Sequence, residues 1–293
     1  MHEVFPNYYD KFKCVADKCR HSCCIGWEID IDEDTLDFYN ALDGAFAEKL
    51  RENIEGVPPH FVLKEGERCP FLNSKGLCDI ISILGEGALC DICRMHPRFC
   101  NFYEDFTEIG LGLSCEEAAR IILTEEEKFS ISLPKSVEND AFFKERKVVF
   151  DILQDRSISF LARFKNLSQK YGFEFTFSNE TLYNFYIHLE MLDKNWEHEL
   201  EKLKNAKGTE IFERADMQIF FEQLACYFIF RHFESGVEFA FISLWVLGMI
   251  CAKCETFEQM LDVVRMYSSE IEYSEENTEK VKAFFKQKSK NSI

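Results

Sequence analysis

Residues 14–24 read Cys-Val-Ala-Asp-Lys-Cys-Arg-His-Ser-Cys-Cys, which places four thiols in one short stretch. Ten of the 13 cysteines lie in the first 115 residues. This asymmetry predicts a cysteine-rich domain at residues 1–124 and a second domain at residues 140–293. The charged stretch 125–139, which contains Pro134, would separate the two. The cysteines that follow the opening stretch within the first domain are Cys69, Cys78, Cys90, Cys93, Cys100 and Cys115.

The composition is that of a globular protein with a large aromatic core. The chain has 293 residues, a hydrophobic share of 46% and 30 phenylalanines. Its net charge of −18 argues against a nucleic-acid partner, because nucleic acids bind basic surfaces. The longest uncharged apolar stretch, residues 239–252, is shorter than the ~20 residues of a membrane span, which predicts a buried helix and no membrane association.

The start of the chain lacks the basic and apolar segments of a signal peptide. We therefore expect a cytoplasmic protein. In that compartment cysteines stay reduced, and clusters of them bind metals or carry out redox chemistry.

The first part of the chain predicts only short elements. A helix should run from Asp32 to about Leu50 and end before the Gly-Val-Pro-Pro segment at 56–59. Such small elements bury little apolar surface, so a bound metal would supply the missing stability. The other expected elements are strands at 61–63 and 106–113, a turn at 73–76, and a helix capped by Ser114 with Glu117 as its capping-box partner.

The second part predicts helices, because its apolar residues recur at steps of three, four or seven. One series is Phe143, Phe150, Leu153, Phe160, Phe164 and Leu167, and another is Leu182, Phe185, Leu189, Leu192, Trp196 and Leu200. Further helices are expected near 214–232, 237–252, 255–269 and 275–288. The predicted fold class is therefore mainly α: an irregular cysteine-rich metal-binding part with a few short strands, followed by an all-helical domain.

The spacing of the early cysteines predicts metal binding, because closely spaced thiols let one loop present several sulfurs to a metal. The expected ligands come from Cys14, Cys19, Cys23, Cys24, Cys69, Cys78, Cys90, Cys93 and Cys115. Nine candidates exceed the four that one zinc ion or one cubane cluster needs. Either two metal sites exist, or several of these cysteines line one site without binding. Cys226, Cys251 and Cys254 are expected to be small buried side chains.

The identity of the metal stays open between iron–sulfur and zinc. Zinc sites often combine His with Cys, and only His21 and His96 lie within the cysteine runs. A set dominated by sulfur favours an iron–sulfur cluster, most simply a four-iron cluster.

Arginines next to the cysteines are candidates for binding the carboxylate of a small molecule. They are Arg94, Arg98 and Arg120, together with Arg68. The alternatives are stabilisation of thiolate charge and ordinary ion pairs with the many acidic residues. A Gly-Leu-Gly segment at 110–112 lacks the third glycine of a nucleotide-binding loop, and no alternating strand–helix pattern follows it, which excludes a Rossmann-type domain.

These residues resemble the flagellin lysine N-methylase family along nearly the whole chain. The likeness opens with Tyr9-Asp10-Lys11-Phe12-Lys13-Cys14 and continues through Arg68-Cys69-Pro70-Phe71-Leu72 and Cys90-x2-Cys93-Arg94-x2-Pro97-Arg98. It extends through residues 108–120, then Phe230-Arg231-His232-Phe233, and finally residues 270–277. A broader group of zinc- or iron-chelating proteins shares only the cysteine skeleton.

The resemblance implies a methyltransferase that moves a methyl group from S-adenosylmethionine to lysine side chains of flagellin. It also implies a four-iron cluster as cofactor. The cysteines here do not form the three-cysteine loop of radical enzymes, since Gly26 stands where its third cysteine would be, so radical chemistry is not predicted. Two alternatives are a non-enzymatic metal-binding or redox-sensing module and a structural zinc domain. The residue that takes the lysine proton is not identified, although Glu28, Asp30 and Asp32 lie near the cysteine run.

Overall fold

The computed structural model describes residues 2–175, 177–206, 208 and 210–290, and it is mainly α-helical, as predicted. Two compact units divide the chain. The helical unit comprises Met1–Phe12 and Cys100–Ile293, and the cysteine unit comprises Lys13–Phe99. These bounds differ from the predicted 1–124 and 140–293. The reason is that the first strand, β1 (His2–Val4), pairs with a strand that follows the cysteine unit.

The cysteine unit has short elements joined by loops. It contains α1 (Glu33–Ala41), α2 (Ala45–Glu52), β2 (Ile54–Glu55), β3 (His60–Phe61), α3 (Asp79–Leu84) and α4 (Asp91–Met95). Strands β2 and β3 pair in antiparallel orientation. The predicted single helix from Asp32 to Leu50 is wrong, because Gly44 interrupts it. The φ of Gly44 is +96°, which lies outside the range of a right-handed helix.

A three-stranded sheet of order β1-β5-β4 begins the helical unit. Strand β4 spans Arg98–Phe102 and β5 spans Phe106–Leu111, and every residue of β5 is buried. Strand β1 pairs with β5 in parallel orientation, with His2 opposite Phe106 and Val4 opposite Glu108. The predicted strand at 106–113 is thus confirmed, ending two residues earlier.

Nine helices of the helical unit follow the sheet, counted over the residues that the structure describes. They are α5 (Glu116–Leu123), α6 (Ala141–Leu153), α7 (Phe160–Tyr171), α8 (Asn179–Tyr186), α9 (Lys194–Lys204), α10 (Gln218–His232), α11 (Glu238–Cys251), α12 (Phe257–Tyr267) and α13 (Glu275–Lys290). Helices α10 and α11 are buried on nearly every face and form the centre of this unit. The apolar stretch 239–252 is accordingly a buried helix, and within the described residues no helix has both the length and the apolarity to cross a bilayer.

Two local predictions in this unit are wrong. Ser114 makes no capping hydrogen bond, because Cys115 is the residue that precedes α5, and Glu117 pairs with Arg120 instead. The apolar series from Leu182 to Leu200 belongs to two helices, and Leu192 between them is 61% exposed. Helix α9 begins after Asp193, whose carboxylate caps the first turn.

Buried ion pairs tie the helices to the sheet and to one another. Arg146 of α6 binds the Glu108 carboxylate of β5 through both of its terminal nitrogens, and both side chains are almost fully buried. Glu222 of α10 receives hydrogen bonds from Arg163 of α7 at 2.5 Å and from Arg156 at 2.7 Å. Each buried charge has a partner. Replacing one member of such a pair by a neutral residue would leave the other as an uncompensated buried charge and would destabilise the fold.

Candidate functional site

Two distant cysteine runs of the cysteine unit meet through backbone pairing. The amide of Cys69 donates to the carbonyl oxygen of Cys24 over 2.9 Å, and the amide of Gly26 donates to the carbonyl of Glu67 over 3.0 Å. Ile25 and Arg68 form the antiparallel bridge between them. These hydrogen bonds place the Cys24 and Cys69 side chains in the same part of the unit.

A tight hairpin adds Cys78. Leu72 and Cys78 form an antiparallel bridge, and the predicted turn at 73–76 closes it. Asn73 organises this turn, because its side-chain oxygen accepts hydrogen bonds from the amides of Lys75 at 2.9 Å and Leu77 at 3.1 Å. Cys78 therefore returns to within reach of Cys69.

The short helix α4 supplies the last two thiols. Cys90 precedes the helix and Cys93 lies in its first turn. Asp32 positions this segment: one carboxylate oxygen caps α1 by accepting from the Thr35 amide, and the other accepts from the Asp91 amide at 2.8 Å. Asp32 therefore has a structural role, because each of its carboxylate oxygens fixes the start of a different helix.

The thiol cluster is the set of five cysteines that pack against one apolar core: Cys24, Cys69, Cys78, Cys90 and Cys93. Phe61 and Phe71, both nearly inaccessible to solvent, form part of that core. Tyr39 borders the cluster, since Cys90, Cys93 and Cys78 all contribute, after burial, to raising its pKa. The Tyr39 hydroxyl donates to the Ala88 carbonyl at 2.6 Å, which leaves the thiols facing an otherwise apolar wall.

Burial and mutual contact control the protonation of these thiols. Burial raises the pKa of Cys69 to about 11 and also raises that of Cys78. The hydrogen bond between Cys90 and Cys93 lowers the pKa of Cys90 and raises that of Cys93. A hydrogen bond from Cys23 lowers the pKa of Cys24 to about 7. Converting all five to thiolates therefore requires a compensating positive charge, which a bound metal provides.

The other predicted ligands are not among the described residues that pack against this apolar core. Cys23 contacts it through Cys24, whereas Cys14 is exposed and Cys19 is half-buried, and neither belongs to the apolar core. Their loop packs against the hairpin, because a Cβ added at Gly76 would lie 3.5 Å from Asp17. Cys115, half-buried before α5, belongs to the helical unit.

The predicted cofactor-binding arginines are already engaged in part. Arg94 is paired with Asp91, three residues earlier on α4. Arg120 binds both carboxylate oxygens of Glu117, at 2.7 and 2.6 Å. Arg98 is the first residue of β4. For Arg94 and Arg120 the structure therefore shows the ion pairs that were the alternative to ligand binding, and a role toward a cofactor stays a prediction.

Glu28, Asp30 and His60 form a second group of metal-ligand types in the cysteine unit. Their ligand atoms all lie within 4.8 Å of one another, and both carboxylates are exposed. Ile29 and Ile31, which alternate with them, point into the core that holds the thiols. Because side chains alternate across an extended segment, Glu28 and Asp30 point away from the thiol cluster.

His96 carries a buried nitrogen without a protein partner. Its Nε2 makes no hydrogen bond among the described residues, and the edge of its ring contacts Trp27. Burial, assisted by the charge of Arg98, lowers the pKa of His96 to about 4. The imidazole is therefore neutral at physiological pH and can act as an acceptor or a ligand.

A buried polar network in the helical unit was not anticipated. Glu272 receives hydrogen bonds from the Tyr227 hydroxyl at 3.1 Å and from His232 Nε2 at 2.6 Å, and Arg231 Nε lies 3.6 Å away. Arg231 in turn donates to the Tyr227 oxygen at 2.7 Å. Glu272 ends a π-helical turn, Ser268–Glu272, a feature that is frequent at functional sites.

One feature of the sequence pointed to residues of this network. Segments 230–233 and 270–277, which carried the resemblance to the methylase family, contribute Arg231, His232 and Glu272. Because every oxygen of Glu272 already has a donor, its role is to hold Tyr227 and Arg231 in place.

An open cavity of about 480 Å³ lies elsewhere in the helical unit. Its walls are aromatic, with Phe164, Phe175 and Trp245 in mutual contact, and the Phe175 and Trp245 rings stacked 4.5 Å apart. Glu210 and Glu213 also line the cavity. Aromatic faces combined with carboxylates suit a cationic side chain.

Comparisons with curated proteins identify relatives of known name. Lysine-N-methylases of Salmonella typhimurium and Salmonella choleraesuis are each 27% identical to this chain over 141 residues, which is 43% of this chain and 34% of theirs. The flagellar biosynthetic protein FliU of Salmonella muenchen is 27% identical over 153 residues, which is 47% of this chain and 87% of FliU.

The chain resembles the lysine N-methylases. The resemblance inferred from the sequence is thus confirmed for 43–47% of the chain, and its predicted extent along nearly the whole chain stays a prediction. The chain spans about a third of the length of the two lysine-N-methylases. No family model matches it, and no solved structure matches it.

Proposed function

We propose that this protein is an S-adenosylmethionine-dependent protein-lysine N-methyltransferase that carries an iron–sulfur cluster on the thiol cluster. The observation that carries the proposal is the convergence of Cys24, Cys69, Cys78, Cys90 and Cys93 on one apolar core of the cysteine unit. The methyltransferase activity rests on the relatives named lysine-N-methylase. A flagellin substrate is supported by FliU, whose name is that of a flagellar biosynthetic protein.

The donor set fits a cluster better than a single zinc ion. The thiol cluster consists of five cysteines that pack against one apolar core. Zinc sites often combine His with Cys, whereas a set dominated by sulfur favours an iron–sulfur cluster. The thiol cluster would therefore supply the ligands of an iron–sulfur cluster.

The chemistry requires a neutral amine and an in-line approach to the sulfonium methyl group. A bound iron with an open coordination position would supply a template for the amine and carboxylate of a substrate. The residues of the chain would bind and orient the reactants. Phe61, Phe71 and Tyr39 would limit the access of water to the thiols, of which Cys69 and Cys90 are buried and the other three half-buried. Sulfonium chemistry benefits from such protection, because water would compete for the methyl group.

We propose that the aromatic cavity of the helical unit binds a docking lysine of the substrate in its charged form, away from the lysine that receives the methyl group. Phe164, Phe175 and Trp245 would contact the aliphatic part and the charge of the lysine side chain. Glu210 and Glu213 would attract its ammonium group, whereas Lys165, which also lines the cavity, opposes it. The acidic balance of the whole chain, with a net charge of −18, also favours a lysine-rich target.

The decisive experiment is a methyl-transfer assay on protein purified without oxygen. Flagellin and S-adenosylmethionine labelled in its methyl group are incubated with the wild type and with the Cys69→Ser variant. We expect the label on lysine with the wild type only, together with iron and sulfide in the wild-type protein. A wild type that contains iron and sulfide but transfers no methyl group in any redox state would leave the redox-sensing module as the function.

A further inference from the structure

The helical unit contains a second pair of thiols that lies outside the thiol cluster. Cys251 is the last residue of α11 and is fully buried, and Cys254 follows the helix and is partly exposed. The two thiols form a hydrogen bond with each other. Together they make a Cys-x-x-Cys sequence, Cys251-Ala252-Lys253-Cys254. From the sequence alone, both cysteines were expected to be small buried side chains.

The backbone between these cysteines forms a tight turn. The amide of Cys254 donates to the carbonyl of Cys251 over 3.0 Å. This hydrogen bond brings the two Cα atoms within ~7 Å. Disulfides span Cα distances of roughly 4.4–6.8 Å, so the turn holds the two cysteines close to the separation that a disulfide needs.

A lysine faces the more exposed thiol. Lys202 of α9 lies with its Nζ 3.8 Å from Cys254 Sγ. Glu199, one turn earlier on α9, holds this ammonium in place through a contact of 2.6 Å. The Cys251 hydrogen bond, and to a smaller extent Lys202, lower the pKa of Cys254. Cys254 is therefore the nucleophile of the pair, and buried Cys251 is the resolving thiol.

We infer that Cys251 and Cys254 form a redox-active dithiol that exchanges with low-molecular-weight disulfides such as oxidised glutathione. The Cys254 thiolate attacks one sulfur of the small disulfide, whose S–S bond breaks and releases one small thiol. The Cys251 sulfur then attacks Cys254 and releases the second small thiol. Two protein thiols are oxidised to one disulfide, the small disulfide is reduced to two thiols, and the two protons leave with them.

The inference is tested by redox titration of the intact protein. Anaerobic protein is equilibrated in buffers of reduced and oxidised glutathione, quenched with acid, alkylated in denaturant, and cleaved after glutamate. Cleavage at Glu238 and Glu255 releases peptide 239–255, which contains only these two cysteines. We expect this peptide to lose both alkylation sites together and to become two hydrogen atoms lighter, while the peptide that carries buried Cys226 stays fully alkylated.

A matched pair of variants tests the role of Lys202. Lys202→Gln should slow alkylation of native Cys254 by limiting iodoacetamide by roughly three- to tenfold. Lys253→Gln removes the charge of the residue next to Cys254 in the sequence, for which the described part of the chain shows no contact with the thiol, and should change this rate by less than about twofold.

Two results would overturn the inference. Peptide 239–255 could stay reduced with oxidised glutathione in large excess. It could also accumulate only a Cys254–glutathione mixed disulfide, which would show that Cys251 does not resolve it. Both readouts are independent of methyl transfer, so they hold whether or not the proposed function is correct.

Discussion

The Cys69 amide donates to the Cys24 carbonyl over 2.9 Å, and this single hydrogen bond joins two cysteine runs that are far apart in the sequence. Local structure around Cys24 or around Cys69 would not by itself bring the two together. The Asn73 turn and the Asp32 carboxylate then add Cys78 and Cys90 to the same place. Backbone pairing and side-chain hydrogen bonds thus bring the thiols of the cluster together.

Replacing clustered and unclustered cysteines should have different effects on metal content. Cys69→Ser removes a thiol from the buried cluster, so we expect loss of most of the iron and of the visible absorption. Cys14→Ser removes an exposed thiol and should retain both. Iron and sulfide are measured on anaerobically purified protein. Equal losses in the two variants would show that Cys14 is also a ligand.

Asp32→Ala should weaken the metal centre without touching a thiol. The variant removes the cap of α1 and the acceptor of the Asp91 amide. Loss of a helix cap costs about 1 kcal/mol, so the cysteine unit should unfold at lower urea concentration and release iron faster to a chelator. Asp37→Ala, at an exposed position of the same helix, is the control and should behave like the wild type.

His96 should make stability depend on pH. Burial lowers its pKa to about 4, whereas an unfolded histidine has a pKa of ~6.5. Between these values only the unfolded chain binds the proton, so stability is complete above pH ~6.5 and is lost as the pH falls toward 4. Over the whole range this amounts to about 3 kcal/mol, of which about 2 kcal/mol is lost by pH 5.

The contribution of His96 is isolated by comparing urea denaturation at pH 7 and pH 5. His96→Phe, which keeps an aromatic contact with Trp27, should lose less stability on acidification than the wild type. His198→Gln, at an exposed position, should keep the wild-type dependence. An identical acid response in the wild type and His96→Phe would rule out this histidine as the source.

Glu272→Ala should destabilise the helical unit strongly. The variant removes the buried carboxylate that accepts hydrogen bonds from Tyr227 and His232 and pairs with Arg231. Breaking a buried ion pair by removing one partner costs about 3–5 kcal/mol. Glu276→Ala removes an exposed partner of Lys280 and should leave the free energy of unfolding nearly unchanged. Urea denaturation followed by circular dichroism distinguishes the two, and similar midpoints would argue against a buried network.

The cavity assignment predicts opposite effects of two charge changes. Glu213→Gln removes attraction for the ammonium of the docking lysine and should raise KM for flagellin roughly threefold to tenfold with kcat little changed. Lys165→Gln removes repulsion at the same cavity and should lower KM. KM is measured with labelled S-adenosylmethionine at saturation. A KM that moves in the same direction in both variants would contradict the assignment.

The sequence predicted the features that depend on composition and periodicity. The mainly helical class and buried α11 follow from apolar spacing. The break at Gly44 and the exposure of Leu192 escaped prediction, because local backbone and capping geometry override an apolar pattern. The sequence also could not separate clustered Cys69 from exposed Cys14, since long-range backbone pairing decides which thiols are buried.

The cysteine unit is an insertion, since strands β1 and β4, which lie on either side of it in the chain, both flank β5 in one sheet. When residues 13–99 are folded, the two ends of this segment are held at a fixed separation. When they are unfolded, closing so long a loop costs the β1–β5 pairing about 4 kcal/mol of chain entropy. Folding of the insertion therefore lowers the entropy cost of pairing β1 with β5.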